Sequence, residues 1–346
     1  MEFREECAMF GKMMNNYYYG KSGKGDFRKD DLPETRWQLF WDTLKTRLSG
    51  LVRLNLMYAI VWIPTIIVLM IFLFNAVNGL NIYGSMDPET HIARIEQPIQ
   101  NADGTTTTQM IETEVPGTFD DFFYSLAVHY LLILIPCIAI TGPATAGVAY
   151  VTRNWSRDEH AFIWSDFKDA LKGNWKQALP VSIITGCVPL VGYMCWKFYG
   201  AMALNNTFMM VPQVLCVLLV ILWALSVTYM YPVMVTYELK MKGVMKNSFL
   251  LGIARLPMSV AIRLLHCLPI IIAFVIVWFF NADIMIVSLI LAGYYVLIGF
   301  ALSRFVTASY ANAVFDKYIN SHIEGATVNR GLRQQDDDDD EEEEEE

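Results

Sequence analysis

Six stretches of this 346-residue chain contain no Asp, Glu, Lys or Arg: Leu54–Val77, Ser125–Tyr150, Ala178–Trp196, Phe208–Val235, Leu264–Phe280 and Ile284–Ser303. A helix needs roughly 20 apolar residues to cross about 30 Å of hydrocarbon, and these blocks match that length. The missing charge makes a bilayer the main solvent and predicts an all-α, polytopic bundle of six transmembrane helices. Leu264–Phe280 is the shortest, and it reaches the required length if Arg263 snorkels to the headgroups.

The same absence bears on function. Proton- and ion-coupled carriers place ionisable groups at the bilayer midplane, and these blocks offer only His129 and His266, each near a helix end and read as interfacial. That argues against a pump or coupled carrier, while a facilitator lined by hydroxyls, amides and helix ends stays open. Walker A, GxSxG, HExxH and CxxC patterns are missing, so the sequence offers no catalytic, cofactor-binding or metal-ligating set. Gly20-Lys21-Ser22-Gly23-Lys24-Gly25 lacks the strand and spacing of a phosphate loop and reads as linker. Asp158, Glu159 and His160 beside Arg157 read as a solvated loop, since no further ligands lie at fitting spacing. Of six cysteines, Cys7 precedes the spans and five lie within predicted helices. Cys195 and Cys216 fall near one face, but free Cys commonly acts as a small buried hydrophobe. Nothing apolar precedes residue 54, so the first span is expected to serve as its own insertion signal.

What charge there is has a direction. Residues 1–53 hold ten Lys and Arg, 151–177 five, 236–263 five and 304 to the end four, against Arg94 and Lys197 in the intervening loops. Basic segments stay in the cytoplasm, so both chain ends are expected there, in the cell membrane. The net charge of −9 comes from Asp336–Asp340 and Glu341–Glu346; without those eleven carboxylates it is +2. The remainder suits anionic lipid and not nucleic acid.

Three regions follow: a polar arm at 1–35 that hugs the membrane surface, a membrane domain at 36–325 with an outer loop at 79–124, and a disordered acidic tail at 326–346. Trp37, Phe40, Trp41, Leu44, Leu48 and Leu51 recur at helical steps opposite charged positions, which predicts an amphipathic helix in the inner interface. Trp164, Phe167, Leu171 and Trp175 repeat the device. Both copies share W-x-x-F-x-D-x-L-K, from Trp37 to Lys45 and from Trp164 to Lys172, so Asp169 corresponds to Asp42. A weaker third copy starts near Met245, giving possible tandem units of interfacial helix plus hairpin; chance matches among apolar helices are the alternative.

The outer loop carries eight acidic residues and one Arg, and 91–100 with 105–115 flank Asn101-Ala102-Asp103-Gly104, which predicts a β-hairpin. Beyond Ser303 the last helix is expected to continue to Gly325. Prolines interrupt most spans, most densely across Pro136–Gly147. There Gly142-Pro143 and neighbouring small residues predict a kink and close packing, with a pocket lining as the alternative.

Several of these residues carry a family resemblance. Met9-Phe10-Gly11-Lys12-Met13, Gly142-Pro143-Ala144-Thr145-Ala146-Gly147, Arg153-Asn154-Trp155, the run from Glu159 through His160 to Phe167, and Asn174-Trp175-Lys176-Gln177 resemble the YesL-like integral membrane proteins of bacteria, a family of unknown function. The outer hairpin and acidic tail depart from that pattern. The resemblance implies an accessory role in carbohydrate uptake, with a sugar-transporter permease or membrane sensor as partner, and supplies no catalytic residue. The expected function is a non-enzymatic docking subunit, with a permease-like facilitator and, more remotely, a lipid-handling enzyme as alternatives.

Overall fold

A computed structural model describes residues 32–87, 89–100 and 106–333. The chain runs α1 (Arg36–Gly84), β1 (Ile92–Gln100), β2 (Thr106–Glu114), α2 (Phe119–Ala139), α3 (Thr141–Trp155), α4 (Ile163–Ala203), α5 (Met210–Thr236), α6 (Met241–Ala254), α7 (Leu256–Phe280), α8 (Ile284–Tyr294), a π turn (Tyr295–Gly299) and α9 (Phe300–Tyr318). Six helical segments, Arg36–Gly84, Phe119–Ala139, Ile163–Ala203, Thr207–Thr236, Leu256–Phe280 and Ile284–His322, are long and apolar enough to cross a membrane. The strands pair antiparallel from Ile92 opposite Glu114 to Gln100 opposite Thr106. Their connecting turn, the Met9–Met13 and Gly20–Gly25 segments, and the acidic run from Asp336 lie outside the described residues.

The packing centre is α3, which sequence alone merges with α2 into one span. The two separate at Ile140 because Pro143 has no N–H to offer the Ala139 carbonyl. The Ser182 hydroxyl of α4 takes over and donates to that carbonyl at 2.8 Å. Small residues on α3 then let neighbours in to backbone distance. A Cβ on Gly142 would stand 2.2 Å from Ser182 Oγ and 2.6 Å from the Ala178 carbonyl, and one on Gly147 would stand 2.7 Å from the Phe167 ring. Pro136–Gly147 is therefore chiefly a packing surface.

The amphipathic segments are not separate helices lying in an interface. Residues 37–51 run without a break into the first span, and 164–176 into the third. No proline lies between Arg36 and Pro64, so nothing local turns the helix. Half of the apolar stripe of residues 37–51 packs within the bundle, while Trp37, Trp41 and Leu48 are exposed: Phe40 stacks on Phe305 of α9 at 5.2 Å, and buried Leu51 sits in one cluster with Trp155. Only the third copy breaks, at Arg255, where α7 starts with Pro257 in its first turn.

One side chain sets the other irregularity. Asn55 of α1 is fully buried; its Nδ2 donates to the carbonyls of Tyr295 and Val296, at 3.0 and 2.7 Å, and its Oδ1 accepts from the Ala301 N–H at 2.7 Å. An inserted amide of this kind stabilises the wide turn between α8 and α9. Cys195 and Cys216 are free thiols.

The last helix ends at Tyr318, earlier than the expected Gly325, and a 3-10 turn follows at Asn320–His322. Asn320 causes the stop by donating to Asp316 Oδ1 at 2.5 Å while accepting from the Tyr237 hydroxyl at 2.7 Å. Residues 326–333, assigned by composition to the tail, fold back on the bundle: the Arg333 N–H donates to the Pro33 carbonyl at 3.0 Å, and Arg330 pairs with Glu159 at 2.8 Å.

Candidate functional site

The duplicated motif is oriented alike in both copies. Phe40 and Phe167 turn inward, with Phe167 on Gly147, and Leu44 and Leu171 join the same cluster. Trp37 and Trp164 point outward, 67% and 64% exposed. Asp42, Asp169, Lys45 and Lys172 are also exposed. On α4 a row of Trp164, Lys168, Lys172 and Trp175 lies along one side at helical spacing. Trp175 is 46% exposed and carries the Lys176 ammonium over its ring at 5.9 Å. Trp37, Trp41 and Lys45 make the corresponding row on α1, where Trp37 and Trp41 meet edge to face at 5.5 Å.

Beside the α4 row, a cleft of 530 Å³ opens between α4 and the α5–α6 junction, lined by Asp166, Asp169, Asn174 and Gln177 of α4, by Tyr237, Glu238 and Leu239, and by Tyr150 of α3. Gln177 holds its rim by donating to the Leu239 carbonyl at 2.9 Å. Asp166 is partly engaged, accepting from the Phe162 N–H at 2.9 Å. Asp169 and Glu238 form no ion pair among the described residues. Three carboxylates with no lining Lys or Arg suit a cationic group, not an anionic substrate.

Through Tyr237, whose hydroxyl donates to Asn320, the cleft wall connects to a polar knot. Asp316 accepts from the Arg36 guanidinium, with which it forms a close ion pair, and from the Asn329 N–H at 3.1 Å. Burial, then the Asp316 charge, pushes the Tyr237 hydroxyl up to about 12, so it remains a neutral donor to Asn320. Glu159 bridges Arg157 at 3.4 Å and Arg330 at 2.8 Å, so that carboxylate is structural and not freely solvated. Burial first, then Arg157, holds the Arg153 guanidinium below its ordinary range.

The family-pattern residues thus divide. Gly142, Thr145, Asn154, Trp155 and Phe167 are buried. Thr145 donates to the Thr141 carbonyl at 2.8 Å and so accepts from the Tyr58 hydroxyl at 2.6 Å. The Asn154 carbonyl receives the Glu159 N–H at 2.9 Å, and Trp155 lies against Gly50. Pro143 serves the α2–α3 break. His160 is exposed, its ring edge on Phe162 at 4.6 Å. Only Trp37, His160, Trp164, Asp169 and Trp175 face outward. Among the described residues, no group of three or more His, Cys, Asp or Glu is placed to hold a metal. Asn55, Asp316 and Tyr237 were missed by sequence reasoning; an Asn within the charge-free block of the first span, which it shares with Asn75, was the one signal that could have marked Asn55.

In comparison with known proteins, residues 115–195 match a family described as a protein of unknown function, DUF624. The matched segment covers α2, α3 and most of α4, hence the kinked packing helix and the second Trp–Lys row. No curated protein and no solved structure matches the chain.

Proposed function

We propose that this chain is a non-enzymatic membrane subunit that docks a partner membrane protein through the outward Trp–Lys rows of α1 and α4. The observation carrying this reading is the duplicated motif, whose Phe and Leu are consumed by packing while its Trp and Lys are left outward in both copies. Exposed tryptophans are enriched where interfaces concentrate binding energy. The acid-lined cleft beside the α4 row would take a basic segment of that partner. The rows lie at the basic end of the bundle, which the distribution of Lys and Arg assigns to the cytoplasm, with both chain ends, in a plasma membrane. The YesL-like resemblance is consistent with the matched family of unknown function and points to a permease or sensor of carbohydrate uptake.

The test is a crosslinked pull-down in mild detergent from native membranes, comparing wild type with the combined Trp37→Ala, Trp164→Ala and Trp175→Ala variant. The wild type is expected to recover a discrete membrane partner and the variant to lose it, with expression and thermal stability unchanged because exposed substitutions rarely move stability by more than about 0.5 kcal/mol. Recovery of the wild type alone, together with solute flux by the purified chain in liposomes, would replace this reading with a facilitator.

A further inference from the structure

Two cysteines meet across the antiparallel pair of α4 and α5, and three contacts set the register that brings them level. A Cβ on Gly192 would stand 2.6 Å from Val220 Cγ2, and one on Gly200 would stand 2.9 Å from Gln213 Nε2. The Gln213 amide also donates to the Trp196 carbonyl at 3.2 Å. Cys195 lies three residues past Gly192, and Cys216 four before Val220. Each is therefore one turn from that contact, on the same face of its helix. In keeping with this register, the two thiols interact with each other. A disulfide needs Cα atoms within about 7 Å, and glycines at the contact let two helix backbones come that near. The same comparison excludes Cys137 with Cys187: Ser182 bonds to Ala139 and Gly186 touches Ile135, so Ile184 is level with Cys137 and Cys187 is not.

Depth and access favour reaction at this pair. The charge-free block of α4 ends at Trp196, and Lys197 forms an ion pair with Asp120 of α2. Cys195 thus stands at the edge of the apolar zone, two residues from a charged pair. Both thiols are free and neither is fully buried, so a reagent reaches them without unfolding the bundle. The orientation read from Lys and Arg puts this end of α4 on the outer face, where disulfides form and persist.

We propose that Cys195 and Cys216 are a disulfide-forming pair that ties α4 to α5, oxidised by exchange with a disulfide donor on the outer face. One thiolate attacks the donor disulfide, forming a mixed disulfide and releasing the donor's first thiol. The second thiol then attacks the chain's own sulfur in that mixed disulfide, closing the Cys195–Cys216 bond and releasing the donor's second thiol. The pair loses two electrons and two protons, and the donor disulfide gains both. The site is separate from the Trp–Lys rows; only the side from which the donor acts rests on the orientation in the docking reading.

Thiol counting by mass spectrometry tests it. The full chain in mild detergent is incubated with glutathione disulfide, quenched in acid, unfolded and alkylated, and its proteolytic peptides are mapped with and without prior reduction. Wild type is expected to fall from six alkylatable thiols to four, with the peptides holding Cys195 and Cys216 joined. Cys195→Ser and Cys216→Ser should each give no internal link, the remaining thiol carrying at most a glutathione adduct. A wild type that keeps all six thiols, takes glutathione adducts without an internal link, or links other positions overturns the proposal. That arm depends neither on a variant folding nor on orientation. The same mapping on membranes trapped in acid directly from cells is expected to recover the joined peptides, and a pair found reduced there overturns the outer-face donor. Labelling of Met110→Cys in the same cells separates the causes, because labelling only after lysis means that the orientation has failed as well.

Discussion

At the scale of residues, the helical glycines separate close approach from mere helix composition. Gly147 and Gly173 both lie in helices, yet a Cβ at 147 would strike the Phe167 ring and carbonyl while one at 173 meets nothing within 4 Å. Gly147→Ala is therefore expected to destabilise by about 1–3 kcal/mol through overpacking. Gly173→Ala should be neutral or stabilising by up to about 1 kcal/mol, as for an exposed helical glycine. Thermal unfolding in detergent compares the two, and equal effects would refute the close packing of α3 on α4. Asn55 makes a sharper case, because its amide serves two carbonyls of the π turn and the Ala301 N–H at the start of α9. Asn55→Leu leaves those groups to find new partners, at about 1–3 kcal/mol for a stranded polar group. Its effect should be lost protection from hydrogen exchange at Ala301, not a general loosening.

At the scale of elements, α1 runs through the amphipathic segment and the first span without a break. Spin labels at exposed Gln38 and Ile60, 22 residues apart, should read about 33 Å along a continuous helix at 1.5 Å per residue. If residues 37–51 turned flat into the interface, the same pair would read about 24 Å. The amphipathic pattern itself was legible, since Phe40, Leu44 and Leu51 fall on one stripe. What the stripe faces was not, because periodicity reports an apolar neighbour and cannot distinguish lipid from α9. The break after Ile140 was legible only as a kink at Gly142-Pro143; that Ser182 would satisfy the freed Ala139 carbonyl depends on a helix some forty residues on. Hairpin strands followed from alternation and β-branching, and the structure pairs them over 92–100 and 106–114.

At the scale of the whole molecule, six charge-free blocks sufficed to identify six long apolar helices, because bilayer thickness sets their length whatever their packing. Site residues were less legible. Trp155 and Phe167 belong to the same recognisable runs as Trp164 and Trp175, yet the first two are core and the second two are surface. Orientation is tested by an impermeant maleimide on intact cells with a cysteine-free background. Met110→Cys on β2 should label from outside and Lys172→Cys on α4 should label only after lysis. The reverse pattern would move the Trp–Lys rows to the other side of the membrane.

The docking reading is tested most directly by a photo-crosslinking amino acid placed in living membranes at Trp37, Trp164 or Trp175, with Met110 as control. The account predicts one protein adduct of the same added mass from the three tryptophan positions and none from the control. Lipid adducts alone, or equal adducts from position 110, would contradict it.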